Sequence, residues 1–257
     1  MTALPRIVGM VHLPPLPGAP RFDGDREALR RRARRDAHTL VDGGVDALLV
    51  ENYGDAPFYP DEAPAHVVAS MTRLVGAVRR EVDCPVGVNV LRNDARAAIS
   101  IAAAAGADFV RVNVHTGARV TDQGVIEGRA HETLRLRDRL DADVSILADA
   151  DVKHSAPLGA GHGEPIADVV DRGLAAGVVV SGERTGETVA TERLTAAAEQ
   201  CADLDVPLYV GSGVTPETVG ETLAVADGVI VGTALKRGGE TTAPVDESRV
   251  RALVDAA

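Results

Sequence analysis

Residues 207–233 read PLYVGSGVTPETVGETLAVADGVIVGT. Two valine-rich runs, from Pro207 and from Asp227, flank a segment whose Val, Leu and Ala recur at helical spacing, so the stretch reads as strand, helix, strand. Each run is apolar at consecutive positions, which marks a strand covered on both faces, and a helix between two such strands makes them parallel. Working outward, the same unit recurs. Further runs begin at Ile7 (IVGMVHL), Val45 (VDALLVEN), Pro85 (PVGVNVL), Asp108 (DFVRVNV), Val144 (VSILADA) and Gly177 (GVVVSG), and with the two already quoted they make eight. Helical spacing fills 26–41, 63–82, 95–105, 129–140, 165–175, 189–204, 216–225 and 245–257. Turns such as GGVD, AGAD and AAGV stop a helix and start a strand. Eight even units predict that the sheet closes, giving an α/β-class (β/α)8 TIM barrel, and 257 residues suit one such domain spanning 1–257. An open doubly wound sheet would want a Gly-rich turn after its first strand, where this chain has HLPPLPGAPRF.

The balance of 27 basic against 38 acidic residues, a net charge of −11, argues against nucleic acid, whose binding needs a basic face. The arginines between Arg30 and Arg35 read as the solvated face of one helix. No apolar run reaches the roughly 18 residues needed to cross a bilayer, so membrane insertion is not expected. The opening MTALPRIVGMVHL lacks the pattern of a cleavable signal, which predicts a cytoplasmic protein. Cys84 and Cys201 have neither metal-site nor disulfide spacing and read as buried thiols. Of the 27 basic residues only Lys153 and Lys236 are lysines, a bias that together with the acidic excess suggests a salt-adapted, halophilic source. It also makes those two lysines worth locating, because a buried ammonium can lose its proton.

A barrel of this kind places its site at the C-terminal strand ends, so the polar residues where each run ends are the candidates. After the early strands these are His12, Glu51, Asn52, Asn89, Asn93, Arg111, Asn113 and His115; after the later ones they are Asp149, Asp151, Lys153, His154, Ser181, Gly182, Thr185, Ser212 and Thr233. Gly211, Ser212 and Gly213 after the seventh run, with Gly232 and Thr233 after the eighth, predict a phosphate site: small residues let backbone amides approach an anion, and short helices starting near Thr215 and Thr233 would aim N–H groups at it. The expected ligand is therefore a phosphorylated small molecule.

The segment ADADVKHS holds Asp149, Asp151, Lys153 and His154. If 149–153 stay extended, the odd positions share one side, and two carboxylates with an ammonium suit acid/base exchange at a carbon beside a carbonyl. In that scheme Asp149 is the base, Lys153 stabilises the oxyanion and His154 or His12 donates a proton; a structural ion-pair network is the alternative. A lysine Schiff base or a divalent cation on His12, Glu51, Asp149, Asp151 and His154 would use the same residues, but no spacing signature supports a metal, and no cofactor is expected. Asn89, Arg111, Asn113 and His115 read as donors that orient substrate. The connections 13–24, 115–128 and 155–164 are long for barrel loops and read as lids or contacts with another copy of the chain, so a homo-oligomer is open.

The segments GMVHLPPLPGAP, LLVENYGDAPF, GVNVLRND, LADADVKHSAPL and VGSGVTPETV resemble those of the BtpA/SgcQ family over nearly the whole chain. The resemblance implies a branch of the ribulose-phosphate-binding type of TIM barrel, and it implies pocket positions for His12, Glu51, Asn52, Asn89, Arg92, Asn93, Asp149, Lys153 and His154, without roles. Asp151 departs from the family pattern, which favours Asp149 with Lys153 as the working pair. The family's name comes from photosystem I biogenesis, so two functions stand: an enzyme that isomerises, epimerises or cleaves a phosphorylated sugar-like metabolite, or a non-catalytic assembly factor for a membrane complex.

Overall fold

The computed structural model describes residues 5–151, 155–158, 166–182 and 189–257. In chain order the strands are β1 (Ile7–His12), β2 (Ala47–Glu51), β3 (Val86–Asn89), β4 (Phe109–Val112), β5 (Ala118–Thr121), β6 (Gly124–Glu127), β7 (Ser145–Asp151), β8 (Ala156–Pro157), β9 (Gly177–Val180), β10 (Leu208–Val210) and β11 (Gly228–Val231). The helices are α1 (Arg26–Asp42), α2 (Ala65–Arg79), α3 (Ala95–Ala105), α4 (Ala130–Arg139), α5 (Thr191–Asp203), α6 (Val219–Leu223) and α7 (Glu247–Asp255). Eight strands, in the order β1-β11-β10-β9-β7-β4-β3-β2, form a closed barrel. Every neighbouring pair is parallel, and β1 closes the ring by pairing Ile7 with Val229 on one side and Val8 with Ala47 on the other. This is the (β/α)8 barrel that the eight apolar runs predict.

Its strands are valine-rich because both faces are covered. Val8, Met10, Ala47, Leu49, Phe109, Leu147, Val179, Tyr209 and Ile230 pack together inside the ring, while the alternate positions join the outer core beneath the helices. Inside, large rings sit opposite glycines: a Cβ on Gly87 would lie 2.3 Å from the Phe109 ring, and one on Gly228 would lie 2.4 Å from Tyr209. The aspartates of the helix-to-strand turns have a further use. Asp46 accepts a hydrogen bond from the Ile7 N–H at 2.7 Å, Asp108 from Val86 at 2.8 Å and Asp227 from Leu208 at 2.8 Å. Each carboxylate thus latches the first amide of the neighbouring strand at the bottom of the barrel.

Three features depart from the sequence reading. The connection 115–128 is not an irregular loop: β5 and β6 form an antiparallel hairpin, and β8, from the connection after β7, adds to it as a third strand in the order β6-β5-β8. In β7 the pairing with β9 shifts register between Asp149 (opposite Val179) and Asp151 (opposite Val180). A bulge of this kind breaks simple alternation, so the expected single face for positions 149, 151 and 153 does not follow from extension. The helix after β10 is also shorter than 216–225, because residues 215–218 form a turn before α6 begins.

Candidate functional site

At the C-terminal end of the barrel the inward row changes from apolar to polar. On β4, Arg111 is buried and pairs with Asp149 on the neighbouring strand β7, with Nε donating to Oδ1 at 2.7 Å and Nη2 to Oδ2 at 2.8 Å. Asn113 Nδ2 donates to the same carboxylate at 3.1 Å, and Asn89 Nδ2 donates to the Arg111 carbonyl at 2.8 Å. Arg111 Nη2 reaches the Gly211 carbonyl at 3.3 Å, and the Ser181 hydroxyl donates to that carbonyl too. Burial works against the guanidinium charge, but the Asp149 carboxylate outweighs it, and the Arg111 pKa rises above its ordinary value. Three donors thus converge on the two oxygens of Asp149, which holds the Arg111 guanidinium in place.

Beside Arg111 lies a second charged group. His12 Nε2 at the end of β1 is 3.7 Å from Glu51 Oε1 at the end of β2, and the imidazole packs against Tyr53 with ring centres 4.8 Å apart. The adjacent β11 passes close by because position 232 is glycine; a Cβ there would meet His12 Cε1 at 2.7 Å. These side chains line a cavity of about 500 Å³ that runs from Met10, His12, Glu51 and Arg111 to the loops after β10 and β11. Gly211, Ser212, Gly213 and Thr215 form one wall, Gly232, Thr233 and Ala234 another, and α7 closes the outer end with Ser248 and Arg249. Gly213 has φ +90°, which favours glycine. The buried Ser212 Oγ, on this wall, has no hydrogen-bond partner among the described residues.

Eight sequence-selected residues therefore meet at one cavity: His12, Glu51, Arg111, Gly211, Ser212, Gly213, Gly232 and Thr233. Asp149, Asn89, Asn113 and Ser181 form the polar network supporting Arg111. Others are drawn elsewhere. Asn52 joins the β2 and β3 exits, accepting from Leu91 N at 2.7 Å, and Asn93 clasps both backbone groups of Val114. Arg92 turns to the hairpin, donating to Gln123 at 3.1 Å, with its guanidinium over the Phe58 ring. His115, expected to orient substrate, is buried with Nε2 2.8 Å from the Gly173 carbonyl, and burial lowers its pKa. None of these four lines the cavity. Thr185, Lys153 and His154 lie outside the described residues, and for Asp151 only the backbone is described.

Tyr53 and Arg249 were missed by counting strand exits, since one follows β2 in a short turn and the other belongs to the last helix. Lys236 had a signal, the scarcity of lysine. It is wholly buried, Nζ donates to the Met10 carbonyl at 2.7 Å, and burial lowers its pKa to about 8. Among the described residues no group of three His, Cys, Asp or Glu could hold a metal ion, and no helix is long and apolar enough to cross a membrane.

Residues 4–257 match the model of the BtpA family. The chain belongs to the BtpA family. Among its relatives, the photosystem I biogenesis protein BtpA of Synechocystis sp. is 45% identical over 251 residues, covering 97% of this chain and 87% of the relative. The uncharacterized protein TK2179 of Thermococcus kodakarensis is 47% identical, with 98% and 94% covered. This BtpA-family barrel also superposes on phosphoribosyl anthranilate isomerase from Thermus thermophilus with a TM-score of 0.58 over 98% of this chain and 97% of that one; at 13% identity the likeness speaks to the fold alone.

Proposed function

We propose that this BtpA-family protein is an enzyme that binds a phosphorylated, sugar-like metabolite and moves a proton on it, as an isomerase, epimerase or lyase does. The observation that carries the reading is the buried, unpartnered Ser212 Oγ in a cavity walled by the glycine-rich turns after β10 and β11. A buried hydroxyl without a partner is costly unless a ligand satisfies it. Gly213, Thr233 and Ala234 line the same cavity, and backbone amides of such turns are the means by which barrels of this type hold phosphoryl groups. From there the cavity reaches Glu51, His12 and Arg111. In this scheme Glu51 takes a proton from a carbon beside a carbonyl, Arg111, fixed by Asp149, stabilises the oxyanion, and His12 delivers a proton to the product. The sequence assigns Lys153 and His154 to the same machinery. The biogenesis role in the Synechocystis relative's name favours a protein-binding factor instead, but a factor acting through its surface has no use for a polar cavity converging on a paired guanidinium.

The test is a thermal-shift screen of phosphosugars in high salt, followed by turnover assays on each stabilising compound. One phosphosugar should raise the melting temperature of the native protein, and Glu51→Gln should keep that shift while losing turnover by about a hundredfold or more. Absence of any shift by phosphorylated compounds would sink the proposal.

A further inference from the structure

Two guanidinium groups line the cavity, Arg111 and Arg249. The first is neutralised by Asp149. The second stands on the first turn of α7, half-buried, on the far side of the turns after β10 and β11. Its Nε donates to the Ala234 carbonyl at 2.7 Å, and its Nη1 and Nη2 have no hydrogen-bond partner among the described residues. That anchor fixes the plane of the fork while leaving its two terminal nitrogens unspent, and Ala234 belongs to the turn after β11 that lines the cavity. Gly239 lies beside the fork, where a Cβ would make only an ordinary contact, 3.8 Å from Nη2. The only carboxylate on this outer half of the cavity, among the described residues, is Glu217, which is exposed and feels the Arg249 charge.

Resting on the phosphate reading above, we infer that Arg249 is the charged ligand of the bound phosphoryl group and makes the site selective for a dianionic phosphate monoester. Backbone amides and the Ser212 hydroxyl bind oxygens with little regard to total charge, whereas a guanidinium whose terminal nitrogens are unspent favours the second negative charge and donates to two phosphate oxygens at once. Arg249 thereby supplies the charge that Arg111, held by Asp149, does not.

The experiment is calorimetric titration with inorganic phosphate at about pH 6 and about pH 8, which bracket its second ionisation. The native protein should bind more tightly at the higher pH. Arg249→Gln should weaken phosphate by about tenfold or more at the higher pH and flatten the pH dependence, while the melting temperature without ligand changes by only a few degrees. If Arg249→Gln does not fold, Arg249→Lys is titrated in its place and should weaken phosphate about threefold or more, because it lacks the fork. Native protein that binds phosphate alongside a variant that binds equally well, with the same pH dependence, would overturn the role of Arg249 and leave the phosphate site standing. Native protein that binds neither phosphate nor any phosphosugar would overturn both.

Discussion

Arg111 and Asp149 meet almost completely out of water, so neither can lose its partner cheaply. Removing one side of a buried, hydrogen-bonded ion pair leaves an uncompensated charge, and Arg111→Met should therefore cost about 3–5 kcal/mol in urea unfolding. The double variant Arg111→Met with Asp149→Leu should recover much of that loss, since it leaves no stranded charge. Lys236 is a charge of a different kind. Its pKa is lowered from 10.5 to about 8 by burial, so below about pH 8 both folded and unfolded chains carry the proton and the folded state bears the full cost of the buried ammonium. Between about 8 and 10.5 the unfolded chain still holds the proton while the folded one has released it, so stability from this residue rises with pH. Cys201, pushed up from 9.0 to about 11, works in the opposite sense over its own range. The Lys236 contribution is therefore read as the stability of the native protein minus that of Lys236→Met, which should grow by up to about 3 kcal/mol from pH 7 to pH 10. A flat difference would show that the ammonium is not desolvated.

At the scale of elements, the barrel is held by devices that recur. The aspartate latches at the strand starts should each contribute about 1 kcal/mol, so Asp46→Ala and Asp108→Ala should lower stability by that amount, and nearly additively, in chemical denaturation. Asp25, whose carboxylate accepts from the Glu27 and Ala28 amides at 2.9 and 2.8 Å, caps α1, and Asp25→Ala should cost about 1 kcal/mol by the same measurement. The strands and most helices were legible in the sequence because each is covered by its neighbours and so shows an uninterrupted apolar run or a one-sided stripe; α3 begins and ends where its spacing says, Ala95–Ala105. The hairpin of β5 and β6 was not legible. Val120 and Val125 face solvent, so no buried stripe marks it, and its third strand comes from Ala156–Pro157, far along the chain. The bulge in β7 was equally silent, because a register shift depends on both partners of a strand pair and sequence reads one strand at a time.

Over the whole molecule, position was easier to read than direction. Strand ends identified the polar mouth, yet a residue at a strand end can line the cavity, as Glu51 does, or clasp a neighbouring backbone, as Asn52 does, and one residue of offset decides which. Arg249 reaches the same cavity from the last helix, a convergence that only the closed ring creates. The net charge of −11 is also a property of the whole, and it leads us to expect that the melting temperature rises as sodium chloride is increased from about 0.1 M to about 2 M, through screening of repelling carboxylates. A melting temperature independent of salt would remove the case for salt adaptation. Finally, the sheet of β6, β5 and β8 stitches the connection after β4 to the one after β7. Barrels of this architecture usually diversify by exchanging one loop at a time. Here the two connections form a single heritable unit: a chimera that imports either one from a relative would leave the other with an unpaired edge, so productive recombination must carry both.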